Sequence, residues 1–141
     1  VKIYFDTSAL VTSLVDQLPN HEAALACLAG TCRDHEAVAS THALAETYAT
    51  LTALPLARRI QPGEARAMVT SLRRKLGVLS LGARLYERAI DRVASLGLSS
   101  GSVYDALHLE SAEGAGCRRL HTYNLGHFQR LGPEGLAVLA P

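Results

Sequence analysis

Val1-Lys2-Ile3-Tyr4-Phe5-Asp6-Thr7-Ser8-Ala9-Leu10 is the stretch that decides the fold. Its β-branched and aromatic run up to Phe5 predicts a buried strand. Ala9, Leu10, Leu14 and Leu18 then fall at helical spacing, so a helix follows with almost no linker. Asp6 stands where the strand hands over to the helix. Its side chain either caps that helix or belongs to a ligand site, because open α/β sheets collect ligands outside the carboxyl ends of their strands. Acids at comparable points elsewhere in the chain decide between the two.

Outward from this stretch, strands and helices alternate. Pro19-Asn20 punctuates the chain, and Asn20 is placed to cap a second helix that Gly30 would end. Ala37-Val38-Ala39 reads as a short buried strand leading to Ser40-Thr41, a helix N-cap pair. The next helix carries Leu44, Tyr48 and Leu51 as its expected apolar face, with Glu46 on another face beside His42, Ala49, Thr50 and Ala53. Taken alone, Glu46 reads as a solvated glutamate. Pro55 breaks that helix, and Pro62 starts another that ends in Arg73-Arg74-Lys75, where the helix dipole favours cations. Val78 to Leu81 predicts a third strand. In the helix after it, Arg84, Arg88 and Arg92 share a face and alternate with Glu87 and Asp91, the pattern of a salt-bridged solvated surface.

Ser102 stands three residues before Asp105, the spacing of a capping box at a helix start. Val103, Ala106, Leu107, Leu109 and Ala112 make that helix apolar on several sides, so a carboxylate at its start needs a partner or a cation. His108, one turn on, is placed either to touch a bound substrate or, as general exposure favours, to lie on the helix surface without a role. Arg118 to Tyr123 predicts a fourth strand with Asn124 at its end, and Leu136 to Leu139 a last short one.

The 141 residues suit one domain with a sizeable core. Apolar content near half and a net charge of +1 describe an ordinary globular chain and single out no strongly basic nucleic-acid binder. The basic residues are 12 Arg and 2 Lys, and arginine is the better phosphate reader. No apolar run reaches the roughly 20 residues of a membrane span, and no signal-peptide pattern precedes the first strand. Cys27, Cys32 and Cys117 cannot all pair, which predicts a reducing, cytoplasmic setting. With His35, Cys27 and Cys32 fit no zinc spacing.

Strands separated by helices predict an α/β fold with a mostly parallel sheet and helices on both faces. Asp6 and Asn124 then lie at strand ends, with Glu46 and Asp105 near helix starts, so all four are expected at one sheet edge. Three ionised carboxylates there would repel, and a hard divalent cation is the usual remedy. Phosphate-cradling glycine loops and a serine elbow are both missing, which leaves metal-assisted phosphodiester hydrolysis as the fitting chemistry.

Ile3-Tyr4-Phe5-Asp6-Thr7-Ser8-Ala9-Leu10, His42-Ala43-Leu44-Ala45-Glu46, Tyr104-Asp105-Ala106-Leu107 and Thr122-Tyr123-Asn124-Leu125-Gly126-His127-Phe128 resemble the PIN domain, in particular the VapC-type ribonuclease toxins of toxin–antitoxin modules. The four blocks run in the family's order over essentially the whole of residues 1–141. The resemblance implies a metal-dependent endoribonuclease using Mg²⁺, with Mn²⁺ as the alternative. Asp6 and Asp105 would be metal ligands, Glu46 would complete the acidic cluster directly or through water, and Ser8 and Thr122 would orient the carboxylates. Asn124 departs from the acid that the family often has there, which weakens a second metal site. The resemblance also implies a homodimer and a cognate antitoxin that covers the acidic pocket, with apolar surface on the early helices and around Pro55 buried by one or the other.

Two other readings stay open. A catalytically silent PIN-like module that binds RNA or protein would fit Asn124. A haloacid-dehalogenase-like phosphatase would use Asp6 as nucleophile but needs a second acid where Ser8 stands.

Overall fold

The computed structural model describes residues 1–141. Strand β1 (Lys2–Phe5) leads into helix α1 (Thr7–Leu14), followed by α2 (His21–Asp34), β2 (Glu36–Ser40), α3 (Thr41–Ala53), α4 (Pro62–Lys75) and β3 (Gly77–Leu79). The chain continues through α5 (Ala83–Ser95), α6 (Ser102–Gly114), β4 (Arg119–His121), α7 (Leu125–Gln129) and β5 (Ala137–Leu139). The five strands form one sheet in the order β3-β2-β1-β4-β5, with every neighbouring pair parallel. This is the single α/β domain that the alternating pattern predicts.

The side chains of β1 explain why it lies in the middle. Successive residues of a strand point to opposite faces. Ile3 and Phe5 join Ala37 and Ala39 under α1, α2 and α4, packing on Leu10, Leu28 and Leu72. Tyr4 joins Val38 and Leu120 on the other face, under α5, α6 and α7, packing on Val93, Leu107 and Phe128. A strand apolar on both sides must be covered on both sides, and parallel sheets supply that cover.

The order also places the site. From β1 the chain builds outward through β2 to β3, then returns to the other side of β1 to build β4 and β5. Neighbouring connections therefore diverge between β1 and β4 and leave a crevice at their carboxyl ends, where α/β sheets bind ligands. Tyr4 pairs with Leu120 and Phe5 with His121, so Asp6 and Thr122 emerge side by side.

Several local expectations are corrected. α1 ends at Leu14, with Leu18 in the turn beyond it. Asn20 takes a left-handed backbone (φ 68°) and makes no side-chain cap. α2 runs through Gly30 to Asp34: one helical glycine costs about 1 kcal/mol, and the next residue, Thr31, is buried. α3 buries Ala43, Thr47 and Leu51 and leaves Tyr48 exposed, because small residues let the helix pack closely. Arg88 and Arg92 of α5 turn to α6 and not to their own helix. Arg92 bridges Glu110 and Glu113 at 2.9 to 3.0 Å and donates to the carbonyls of Leu131 and Gly132. Arg88 joins Glu110 at 3.4 Å.

Candidate functional site

Asp6 is both a cap and a site residue. It is buried at the end of β1, and its Oδ1 accepts from the Ala9 amide (3.0 Å) and the Ser8 hydroxyl (2.7 Å). Its Oδ2 accepts from the Thr122 hydroxyl at 2.7 Å. Ser8 and Thr122 accept in turn from the amides of Tyr123 and Asn124, both at 2.9 Å. Both hydroxyl protons are thus directed at Asp6, which fixes the carboxylate plane. Burial nevertheless pushes the Asp6 carboxyl above the ordinary aspartate value, against the pull of His108 and the hydroxyl bonds.

Glu46 is held differently. Its Oε1 accepts from the Thr7 hydroxyl at 2.7 Å and from His108 Nε2 at 2.6 Å. Its Oε2 lies 3.6 Å from His42 Nε2. Burial raises the Glu46 carboxyl, but the His108 hydrogen bond and charge, with Thr7 and His42, outweigh it and leave the value lowered. His108 is therefore not the exposed histidine expected. It is 2 % exposed, with Nδ1 2.8 Å from the Tyr4 hydroxyl. A carboxylate only accepts, so Nε2 carries a hydrogen toward Glu46. The apolar surround of α6 was the available signal: a histidine inside a buried helix has to find partners.

Asp105 makes no capping box. Gly101 occupies the N-cap position without a side-chain bond, and α6 begins at Ser102. Asp105 is half-buried, and its one polar side-chain contact is His127 Nδ1 at 3.4 Å. Burial pushes its carboxyl up; His127 and His108 oppose this, and the negative charges of Asp6 and Glu46 add to it. Asp105 thus feels the charge of both other acids. Asn124 is exposed at the start of α7; its amide bonds Thr122 and its side chain makes no cap.

The structure therefore ties Ser8 and Thr122 directly to Asp6, links Glu46 to the same end of β1 through Thr7 and His108, and sets Asp105 within their field. No group of three or more His, Cys, Asp or Glu side chains is placed to hold a metal ion between them. The donor set still fits an oxygen-seeking cation that keeps waters. Asp105 is a half-buried carboxylate with one long contact, and Asp6 Oδ2 accepts a single hydrogen bond.

An α/β sheet with an acidic crevice at its switch point defines the class, and the chain belongs to the PIN domain family, whose sequence pattern matches residues 3–132. It is 37 % identical over 102 residues to Ribonuclease VapC27 of Mycobacterium tuberculosis (strain ATCC 25618 / H37Rv), covering 72 % of this chain and 70 % of that one. It is 35 % identical over 115 residues to Ribonuclease VapC40 of M. tuberculosis (strain CDC 1551 / Oshkosh), covering 82 % and 81 %. The crystal structure of M. tuberculosis VapC20, a sarcin-ricin loop cleaving toxin, shares the fold with a TM-score of 0.76 at 21 % identity over 95 % of this chain and 98 % of that one. So does VapBC2 from Rickettsia felis bound to a promoter DNA fragment, with a TM-score of 0.72 at 16 % identity over 98 % and 97 %. Family membership leaves the dehalogenase-like reading without support, and Ser8 is a hydroxyl committed to Asp6.

His108→Leu should destabilise the protein by about 2 to 4 kcal/mol, because it takes the partner from the buried Tyr4 hydroxyl and leaves Glu46 with the Thr7 hydrogen bond alone. Tyr4→Phe should cost about 1 kcal/mol. Urea unfolding checks both, and a His108→Leu variant as stable as the parent would contradict the buried chain of bonds.

Proposed function

We propose that this protein is a metal-dependent endoribonuclease and the toxin of a toxin–antitoxin pair. What supports the reading is a buried Asp6 at the end of the central strand, held by Ser8 and Thr122, with a half-buried Asp105 on α6 that feels its charge, in a chain of the PIN family. Asp6 and Asp105 hold the cation, Mg²⁺ with Mn²⁺ as the alternative. Glu46 joins through water, since its Oε1 is committed to Thr7 and His108. A divalent cation held there would supply a nucleophilic water and offset charge on the RNA phosphodiester. Ser8 and Thr122 keep the Asp6 carboxylate in one plane while substrate enters. Asn124 offers an amide oxygen without charge, so a second cation binds weakly or only with RNA.

The relatives named VapC ribonucleases support the RNA substrate. The structural likeness to VapBC2, and to FitAB bound to an IR36 DNA fragment, supports an antitoxin partner. Exposed Leu25, Tyr48, Tyr86 and Ile90 supply apolar surface for that partner or for a second copy of the chain in a homodimer. No helix is long and apolar enough to cross a membrane, and three free cysteines suit a cytoplasmic, reducing setting. Asn124 alone favours a silent binding module, and the same experiments test it.

Asp105→Asn should reduce Mg²⁺-dependent RNA cleavage by more than about 100-fold while the fold survives. In EDTA at pH 7 the variant should melt above the parent. A carboxyl raised by burial costs stability once ionised, and that cost appears as pH rises from the unfolded value toward the folded one. The gap should therefore close below about pH 4, where both forms of Asp105 are protonated. Full cleavage by the variant, or a parent melting temperature indifferent to Mg²⁺, would overturn the assignment.

Asn124→Asp adds a charge to the same crevice, so half-maximal cleavage should come at lower Mg²⁺. An unchanged or higher Mg²⁺ requirement would remove Asn124 from the metal's surroundings.

A further inference from the structure

Beside the acidic crevice lies a cavity of about 290 Å³ lined by His42, Ala45, Glu46, Ala49 and Tyr104. Its walls come from α3 and α6, the two helices that also carry Glu46 and Asp105. The His42 and Tyr104 rings stack with centroids 5.5 Å apart and planes 11° apart. His42 is largely buried against Glu46, whereas Tyr104 is 51 % exposed, the most exposed aromatic residue of the chain. Ala45 and Ala49 are the small residues of α3 that leave the space open. Tyr104 directly precedes Asp105, and Glu46 belongs to cavity and crevice alike.

We infer that this cavity is a nucleobase subsite, in which an unpaired base of the RNA next to the cut phosphate stacks on the His42–Tyr104 pair. The inference rests on the ribonuclease reading and names what that site grips besides the phosphate. The lining contains no lysine or arginine, and the Glu46 carboxylate in it disfavours a phosphate. A flat aromatic wall with small apolar neighbours instead suits the face of a base, as single-stranded RNA readers use aromatic side chains. The edge of that base meets Glu46, whose Oε1 is filled by Thr7 and His108 and whose Oε2 has only the 3.6 Å approach of His42. A carboxylate oxygen accepts, so the subsite favours bases presenting an N–H edge. The side chain of a protein partner is the competing occupant, and continuity with the phosphodiester crevice favours RNA.

The test uses the full chain with single-stranded homo-oligoribonucleotides of A, C, G and U. Binding is measured in EDTA by fluorescence anisotropy, and KM and kcat are measured in Mg²⁺. Tyr104→Ala should weaken binding in EDTA and raise KM by about tenfold, with a smaller change in kcat, and Tyr104→Phe should restore both. Ala49→Leu, which fills the cavity, should act like Tyr104→Ala. An abasic nucleotide beside the cut should cost the parent the same factor and cost Tyr104→Ala almost nothing. Cleavage by the parent with KM unaltered in Tyr104→Ala would overturn the subsite and leave the ribonuclease reading intact. Tyr104-dependent binding without any cleavage would overturn the enzyme and keep the subsite. Tyr104→Ala that loses only the antitoxin, with RNA binding unchanged, would assign the cavity to the protein partner and end the proposal.

Discussion

A buried carboxylate with three hydrogen bonds joins the parts of this protein. Asp6 accepts from the Ala9 amide, the Ser8 hydroxyl and the Thr122 hydroxyl, and so ties β1, the first turn of α1 and the end of β4 together. An ionised group out of water is costly unless it is paired or well bonded. Three donors reduce that cost without cancelling it, because the Asp6 carboxyl is still displaced upward by burial. The bonds that start α1 and fasten it to β4 are therefore the same bonds that hold an uncomfortable charge at the switch point of the sheet.

The three acids of the crevice are not equivalent. Glu46 is satisfied by the protein itself: His108 and Thr7 bond one oxygen, and its carboxyl is displaced downward. Asp6 and Asp105 are displaced upward, Asp105 with the charges of the other two adding to its burial. Environments that push like groups apart assign them different work. Glu46 is a fixed negative charge anchored through His108 to Tyr4 in the core, whereas the two aspartates gain most from an added cation.

The sequence makes legible whatever depends on near neighbours. The run from Ile3 to Phe5 shows its strand, and Asp6 shows its place at the strand end, because alternation and capping act over a few residues. Ala37 to Ala39 is equally plain. His108 is misread as exposed because its partners, Tyr4 and Glu46, are 104 and 62 residues away in sequence. Asp105 looks like a capping-box residue from Ser102, and only the packed helix shows Gly101 at the cap. Arg92 is misread for the same reason: its acidic neighbours on α5 are local, whereas Glu110 and Glu113 on α6 are brought to it by the fold.

The central proposal is that Asp6 and Asp105 share one divalent cation at the carboxyl ends of β1 and β4. Anomalous scattering from crystals of the protein grown or soaked with Mn²⁺ measures this directly. The account predicts a single strong peak bonded to an oxygen of Asp6 and an oxygen of Asp105, with waters on the remaining positions and Glu46 beyond them. A peak held by other residues, with Asp6 and Asp105 bare, would contradict it.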